Sequence, residues 1–454
     1  MDNAELSTSH YPLMKDSGVE WTGEIPAEWE VKKLKYVAQV NPLKDNLDQI
    51  SDELVTFLSM DSISENGTAD CSIKKPVSSV CNGFTFFRRN DVIVAKITPC
   101  FENGKCVFLS NLDTSIGFGS TEFHVLRPKE RIVGKFLYYI TKSEIFMQSG
   151  EAFMYGAAGQ KRVPSSFISD FPLVLPDADE QTAIANFLDR KTAEIDALIA
   201  QKQRLLELYE EEKTAIINHA VTKGIDPNAE LKDSGVEWLG EIPVGWEVRK
   251  LKYVAQVNPL KDNLDQTSDE LVTFLPMDSI SENGTADCSI KKPVSSVCNG
   301  FTFFRRNDVI VAKITPCFEN GKCVFLSNLD TSIGFGSTEF HVLRPKERIV
   351  GKFLYYITKS EIFMQSGEAF MYGAAGQKRV PSSFISDFPL VLPDADEQTA
   401  IVNFLNRKTT EINAKITKTQ RIIELQKEYR TALISEAVTG KIKVPELPTQ
   451  EASA

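Results

Sequence analysis

The sequence lacks the marks of several common protein classes. None of its stretches approaches the roughly 20 consecutive apolar residues that a membrane-spanning helix needs. Its polar start, MDNAELSTSHYPLMKDSG, has no apolar segment of the kind that a secretory signal carries. It also lacks a GxxxxGK(S/T) phosphate loop and a GxGxxG turn that opens a helix. We therefore expect a cytoplasmic chain with no membrane partner.

Metal-ligating residues are scarce as well. The chain has four histidines, and its eight cysteines are four positions that occur twice, none of them in a CxxC pair. We expect no metal site, and we expect reduced thiols. His124 and His341 lie in the strand-like segment TEFHVL without a nearby cysteine or aspartate triad, so a structural role is favoured over a catalytic one.

Two further patterns match catalytic motifs only in part. NPLK, at 41–44 and again at 258–261, lacks the second proline and the base-stacking aromatic residue of the Asn-Pro-Pro-aromatic motif of amino-methyltransferases. Glu102 and Glu122 are a conceivable carboxylate pair, but no motif assigns them acid–base work. We interpret NPLK as an ordinary turn and assign no catalytic residue.

The chain consists largely of one module that occurs twice in the sequence. After a shift of 217 residues, Met60–Ile184 matches Met277–Ile401 without a substitution. A repeat of domain size predicts two copies of one fold. A fusion of two copies without functional meaning stays open as an alternative. Back to Lys15, six pairs differ: Thr22/Leu239, Ala27/Val244, Glu28/Gly245, Lys32/Arg249, Ile50/Thr267 and Ser59/Pro276.

The segments that follow the identical cores share a pattern but not their letters. In both, apolar residues recur at spacings of three, four and seven, which predicts one long helix after each core. Pro176 and Pro393 precede these segments, and Gly224 and Gly440 follow them. A helix of about 40 residues would be about 60 Å long at ~1.5 Å per residue. The apolar positions are Ile184, Leu188, Ile195, Leu198, Ile199, Leu205, Leu206, Tyr209, Ile216 and Ile217, then Ile401, Leu405, Ile412, Ile416, Ile423, Tyr429 and Leu433.

A long helix with one apolar stripe must bury that stripe against another element. Residues 178–222 carry a net charge of −4 and residues 396–439 a net charge of +1, which favours pairing of the two helices with each other. We expect the helices to pack antiparallel, with the identical modules related by a two-fold axis. Two independent helices, each covering its own module, remain the alternative.

Each module is predicted to be a mixed α/β head. DVIVAKI (91–97), GKCVFL (104–109) and TEFHVLRP (121–128) are typical of strands, and GKFLYYITKSEIFMQSG (134–150) is typical of a helix. The predicted fold class is α+β, with two mixed α/β heads separated by a long antiparallel two-helix coiled coil.

Polar residues gather in three turns of each head. Residues 71–175 hold 13 Lys and Arg against 8 Asp and Glu, a local net charge of +5 in a chain whose total is −11. Lysine and arginine neutralise phosphates, and amide and hydroxyl side chains bond base edges. A solvated turn explains any single cluster equally well. The candidate DNA-binding residues are Lys96, Thr98, Asn103, Lys105, Ser120, Thr121, Gln160, Lys161 and Arg162, with Lys313, Thr315, Asn320, Lys322, Ser337, Thr338, Gln377, Lys378 and Arg379 in the second copy.

Several segments, in this order and twice, resemble one known family. KDSGVEWTGEIPAEWEV, KITPCFENGK, GSTEFHVLRP, AAGQKRVP and FPLVLPDADEQTAIANFLD are similar to the specificity subunit of type I restriction–modification enzymes. The resemblance implies two target recognition domains, each reading one half of a bipartite site in double-stranded DNA. It also implies a non-catalytic chain without a cofactor, which docks two modification (methyltransferase) subunits that the restriction subunits join. S-adenosylmethionine, ATP and magnesium are then expected on those partners only.

The resemblance sets the expected domain boundaries. Residues 1–175 would form the first recognition domain and 176–222 the first spacer helix, the family's central conserved region. Residues 223–392 would form a linker and the second recognition domain, 393–440 the second helix or distal conserved region, and 441–454 a tail. The family normally carries two different recognition domains, whereas these are the same, so we expect an interrupted palindrome as the target. A self-sufficient DNA methyltransferase and a non-specific coiled-coil scaffold are the alternatives.

Overall fold

The computed structural model describes residues 10–44, 50–157, 159–261, 264–374 and 376–445. The chain divides into two compact units. The first unit contains residues 1–203 and 421–454, and the second contains residues 204–420. Within the described residues, no helix has both the length and the apolar character that crossing a bilayer requires.

The first unit is built from short strands and short helices, followed by the start of a long helix. A 3₁₀ turn, Met60–Ser62, lies after the fifth strand. The strands are β1 (Met14–Asp16), β2 (Glu24–Pro26), β3 (Glu30–Lys33), β4 (Ala38–Val40), β5 (Leu54–Leu58), β6 (Lys74–Pro76), β7 (Thr85–Arg88), β8 (Val92–Ala95), β9 (Cys106–Phe108), β10 (Ile116–Gly119), β11 (Phe123–Pro128) and β12 (Pro172–Leu175), and the helices are α1 (Leu34–Val37), α2 (Val77–Val80), α3 (Gly134–Lys142), α4 (Glu144–Ala152), α5 (Ser165–Asp170) and α6 (Ala178–Lys223).

Two four-stranded sheets form the centre of the first unit. One has the order β6-β5-β10-β7, in which β5 and β10 run parallel, and the other has the antiparallel order β4-β11-β8-β9. All four residues of β8 are buried, as expected for an apolar VIVA segment in the interior of a sheet. The three segments predicted to be strands contain β8, β9 and β11, so these predictions are confirmed.

The prediction of one helix over 134–150 is wrong, because the chain breaks it at Ser143. This residue has extended backbone angles, and its hydroxyl accepts a hydrogen bond from the amide of Phe146 while donating one to the carbonyl of Ile140. A serine that bonds neighbouring main-chain groups favours a helix start over a helix interior. The result is two helices, α3 and α4, in place of one.

The second unit repeats this architecture with the same strand orders. It also contains the end of α6 and most of the second long helix. Its strands are β13 (Leu231–Asp233), β14 (Glu241–Pro243), β15 (Glu247–Lys250), β16 (Ala255–Val257), β17 (Leu271–Leu275), β18 (Lys291–Pro293), β19 (Thr302–Arg305), β20 (Val309–Ala312), β21 (Cys323–Phe325), β22 (Ile333–Gly336), β23 (Phe340–Pro345) and β24 (Pro389–Leu392), and its helices are α7 (Leu251–Val254), α8 (Val294–Val297), α9 (Gly351–Lys359), α10 (Glu361–Ala369), α11 (Ser382–Asp387) and α12 (Ala395–Val438).

The start of each long helix is fixed to its own head. In the first unit, Glu180 in the first turn of α6 accepts hydrogen bonds from the indole of the buried Trp29 at 2.8 Å and from the hydroxyl of Tyr11 at 2.7 Å. Next to it, the buried Gln181 bonds the carbonyls of Arg131 and Pro176 and the amide of Val133. These contacts set the direction in which α6 leaves the head.

The end of each long helix belongs to the unit that does not contain its start. Leu433, Ile434 and Val438 of α12 lie in the main core of the first unit. Beyond α12, Lys441 donates to the carbonyls of Thr22 and Glu24. In the same way, the last turns of α6 lie in the main core of the second unit. This distribution excludes the alternative of two independent helices, each covering only its own head.

Within the second unit, the two long helices run antiparallel. Lys415 of α12 lies over the ring of Tyr209 of α6, and Asn413 accepts a hydrogen bond from Lys213 at 3.4 Å. Moving from Tyr209 to Lys213 along α6 therefore corresponds to moving back from Lys415 to Asn413 along α12, which is the antiparallel direction. Most of the described ion pairs of the helices join side chains of the same helix.

Candidate nucleic-acid interface

The three polar turns of the first head follow the ends of buried elements. Turn A, Lys96–Lys105, connects β8 to β9. Turn B, Gly117–Glu122, includes the end of β10 and leads into β11. Turn C consists of the described residues 156–157 and 159–162 and lies between α4 and α5. Gly156 has φ +133°, and a Cβ atom there would lie 2.8 Å from the carbonyl oxygen of Gln160, so turn C needs glycine at this position.

Turns A and C are joined through their main chains. The amide of Thr98 donates to the carbonyl of Lys161 at 3.0 Å, and the amide of Lys161 donates to the hydroxyl of Thr98 at 3.1 Å. The amide of Val163 donates to the carbonyl of Lys96 at 2.8 Å. Two loops more than 60 positions apart in sequence therefore form one surface.

Glu122 ties turn B to both other turns. Its carbonyl accepts from the amide of Lys96 at 2.9 Å. Its carboxylate receives two parallel hydrogen bonds from Arg162, each at 2.9 Å, and the Arg162 guanidinium lowers the pKa of this carboxyl group. Such a forked pair fixes geometry as well as charge. The guanidinium of Arg162 is thus bound within the head, although the sequence pattern predicts it as a DNA contact.

The remaining candidates on the joined turns differ in exposure. Thr121, Gln160 and Lys161 are exposed, whereas Lys96 and Ser120 are half-buried. Because the main chain of turn C is held by turn A, the side chains of Gln160 and Lys161 project from a fixed backbone. We define this joined set of turns A, B and C as the recognition surface.

Asn103 and Lys105, at the far end of turn A, bind a different segment. The amide of Asn103 donates to the carboxylate of Glu65 at 2.8 Å, and the Lys105 ammonium lies 3.4 Å from the carbonyl oxygen of Met60. Both groups therefore connect turn A to residues 60–65. Their place as DNA contacts stays a prediction.

Sequence reasoning missed Tyr155, which lies directly before turn C. Its main chain pairs with that of Arg162 in both directions, and its side chain is 65% exposed. Its phenol is accessible at the edge of turn C. The signal in the sequence was an aromatic residue next to a glycine-rich polar loop, YGAAGQKRV.

The second head has the same recognition surface. Thr315 and Lys378 pair at 3.0 Å and 3.2 Å, and Arg379 binds Glu339 through two hydrogen bonds of 2.9 Å. Tyr372 is 63% exposed. The corresponding candidates are Lys313, Thr315, Ser337, Thr338, Gln377, Lys378 and Arg379, while Asn320 binds Glu282 as Asn103 binds Glu65.

The histidine of each head is structural, as expected. His124 is buried, with Nε2 at 2.9 Å from the carbonyl oxygen of Val163 and Nδ1 at 3.1 Å from the side-chain nitrogen of Asn41. Burial lowers the pKa of this imidazole. The side-chain oxygen of Asn41, the first residue of NPLK, accepts from the amide of Val125. Both ends of this amide are occupied, which agrees with an ordinary turn.

Within the described ranges, no group of three or more His, Cys, Asp and Glu side chains is placed to hold a metal ion.

Comparison with known families decides what these heads belong to. The family model for the type I restriction modification DNA specificity domain matches residues 26–208 and again residues 243–427. The chain belongs to this family. Each match covers one head together with the first part of the helix that follows it.

Named relatives agree with this assignment. The specificity subunits of the type I restriction enzymes EcoAI and EcoEI from Escherichia coli are 39% and 37% identical to this chain over 201 and 207 residues. The alignments cover 44% and 45% of this chain and 33% and 34% of those relatives, about a third of their length. The MjaVIII specificity subunit of Methanocaldococcus jannaschii is 23% identical, with 93% of this chain and 95% of the relative aligned.

Solved structures show the same fold. A chain from a structure on complex assembly and conformational transition of the type I R-M system matches with a TM-score of 0.72 at 14% identity, covering 91% of this chain and 98% of that one. The HsdS subunit from Thermoanaerobacter tengcongensis matches with a TM-score of 0.56 at 15% identity, covering 92% and 98%. The predicted fold class, two mixed α/β heads with long helices, is confirmed.

Proposed function

We propose that the chain is the sequence-specific DNA-binding subunit of a type I restriction–modification complex. The proposal rests on one observation: both heads match the family's specificity domain and present a recognition surface with the same residues. The chain itself is non-catalytic in this proposal. Adenine methylation and DNA cleavage take place in partner subunits, and S-adenosylmethionine, ATP and magnesium bind there.

Each recognition surface enters the major groove and divides its work by side-chain chemistry. Lys96 and Lys161 hold phosphates, which positions the head without reading sequence. Gln160 and Thr121 are exposed amide and hydroxyl groups that can bond base edges. The hydrogen bonds between turns A and C are made before DNA arrives, so little conformational freedom is lost on binding.

Because the recognition surfaces have the same residues, they select the same bases. We propose a target of two copies of one half-site in inverted order, an interrupted palindrome with an unread spacer. The long helices, with 46 and 44 residues, act as the ruler that sets the spacer. They also dock two modification subunits, which restriction subunits then join in the cytoplasm.

Selection from a random duplex library tests the target. The full chain, assembled with its modification subunits, should enrich one half-site and its reverse complement at a fixed separation. Two unlike half-sites would refute the symmetry, and binding without enrichment would favour a scaffold. Binding of S-adenosylmethionine by this chain alone would favour a methyltransferase.

Matched deletions test the ruler. Removing two turns from the middle of both helices, with the remaining apolar register preserved, should shorten the selected spacer or abolish binding. The control is a deletion of equal length within the C-terminal tail after residue 445. An unchanged spacer in a folded, DNA-binding deletion variant would contradict the ruler.

A further inference from the structure

The same open cavity occurs in both heads, but different helix residues line it. In the first unit it has a volume of about 430 Å³ and is lined by the head and by α6 and α12. In the second unit the corresponding cavity has about 220 Å³. The head residues shared by the two linings are identical, so the residue differences at corresponding positions come from the helices. The pairs that change are Asp189/Asn406, Ala193/Thr410, Asp196/Asn413 and Arg430/Lys213.

In the first unit, the helix carboxylates neutralise the cations of the cavity. Lys135 of α3 forms an ion pair with Asp189, which also accepts from the hydroxyl of Tyr139 at 2.7 Å. Arg430 Nε lies 3.0 Å from Asp196 Oδ1. Both cations of the described cavity lining, Lys135 and Arg430, are therefore paired with a carboxylate of α6.

In the second unit, the corresponding lysine has lost its carboxylate. Lys352 lines the same cavity as Asn406, and its ammonium lies 4.5 Å from the centre of the Tyr355 ring. Burial lowers the pKa of Lys352. Among the described residues, no carboxylate forms an ion pair with Lys352. Replacing one aspartate by asparagine thus leaves a partly desolvated cation in the cavity.

The other charged groups of the cavity do not compensate Lys352. Lys213 pairs with Glu210 at 2.5 Å on its own helix. Lys359 donates to the main-chain carbonyls of Glu282 and Gly321. Glu282, the one acidic residue of the described lining, holds its carboxylate on the amide of Asn320.

Neutral hydrogen-bond donors line the same cavity as the uncompensated charge. The oxygen of Asn406 is taken by the hydroxyl of Tyr356 at 2.8 Å, and that of Asn413 by Lys213, so each amide offers its NH₂ group. Thr410 adds a hydroxyl to the same lining. A lysine among amide and hydroxyl donors is a combination that binds oxyanions, since such ligands offer mainly acceptor oxygens.

We propose that the cavity of the second unit binds a phosphate-sized oxyanion between Lys352 and the side chains of Asn406, Thr410 and Asn413. A volume of about 220 Å³ admits such a group, being several times the ~30 Å³ that a water molecule occupies in the liquid. The first-unit cavity does not bind it, because Asp189 and Asp196 present carboxylates where the anion would lie. The proposal uses side chains other than the candidate DNA contacts, and it does not rest on the function proposed above.

Calorimetric titration of the full chain with inorganic phosphate, in phosphate-free buffer at low salt, tests the proposal. We expect one bound phosphate per chain. Lys352→Met should weaken binding by roughly tenfold or more, the effect of losing one charged hydrogen bond. Lys135→Met, the identical substitution in the identical head, should leave binding unchanged.

A second variant tests the site while leaving Lys352 in place. Asn406→Asp restores the first unit's arrangement, in which the carboxylate accepts from the tyrosine hydroxyl and pairs with the lysine, and it should abolish phosphate binding. Absence of binding to the wild-type chain, or equal losses in Lys135→Met and Lys352→Met, would overturn the proposal.

Addition of short duplex DNA identifies the source of the oxyanion. Phosphate that stays bound in the presence of duplex indicates a free anion as the ligand, and stoichiometric release indicates a backbone phosphate of DNA. Both outcomes require the site proposed here.

Discussion

Removing the ammonium groups of Lys161 and Lys378 together is the sharpest test of charge on the recognition surface. Lys161 is exposed, and its main chain, not its side chain, pairs with Thr98. Lys378 pairs with Thr315 in the same way. Alanine at both positions should therefore leave the joined turns intact while removing one positive charge from each head.

The magnitude follows from counterion release. Each phosphate contact contributes about 0.9 to the slope of log affinity against log salt, so loss of two contacts should reduce that slope by about 1.8. Between roughly 50 and 200 mM salt, the wild-type affinity should then fall about 12-fold more than that of the double variant. The change should be similar for target and unrelated duplexes, because phosphate contacts carry no sequence information.

Fluorescence anisotropy with labelled duplexes over a salt series measures the slope. The control is the double variant Lys15→Ala with Lys232→Ala, which removes two exposed lysines from β1 and β13, away from the three turns. The control should keep the wild-type slope. An unchanged slope in the Lys161 and Lys378 variant, or equal reductions in both double variants, would refute the placement of phosphate contacts on turn C.

Three further outcomes are expected. Gln181→Ala should destabilise the first unit by roughly 3 kcal/mol in chemical unfolding, because three main-chain groups, one in a buried and two in partly buried hydrogen bonds, lose their partner; a loss below about 1 kcal/mol would contradict this. Burial lowers the pKa of His124 and His341 from 6.5, so near this pH the unfolded chain binds more protons than the folded chain. The free energy of unfolding should therefore fall as the pH drops from about 6.5 toward the lowered pKa. The double variant His124→Gln with His341→Gln should flatten this dependence, and a wild-type profile without a slope would refute it. Tyr155→Phe with Tyr372→Phe should weaken DNA binding about fivefold per head if the hydroxyls bond phosphates, and an unchanged anisotropy titration would exclude that contact.

Local patterns in the sequence were sufficient to predict the long helices. Their apolar spacing is a property of neighbouring turns, so the stripes that begin at Ile184 and Ile401 predict helices, and the structure has helices there, Ala178–Lys223 and Ala395–Val438. The same periodicity did not reveal the interruption at Ser143. There a side chain competes with the helix for main-chain hydrogen bonds, an effect that a hydrophobic pattern does not contain.

Contacts between distant positions limited what could be predicted about the recognition surface. Polar turns and their residue types were evident in the sequence. The pairing of Arg162 with Glu122, 40 positions earlier, was not evident there. The role of Arg162 as a DNA contact stays a prediction. The exposure of Tyr155 likewise depends on how turns A and C meet.

The sequence by itself determined that this protein is one head written twice, each followed by a long amphipathic helix, because repetition and periodicity are carried by the order of residues alone. Only the tertiary structure decided that the last turns of α12 complete the core of the first unit, and that Lys135 meets an aspartate where Lys352 meets an asparagine. These outcomes depend on which surfaces the folded chain brings together. The identical residues of the two heads therefore have different neighbours, because the two long helices differ in sequence.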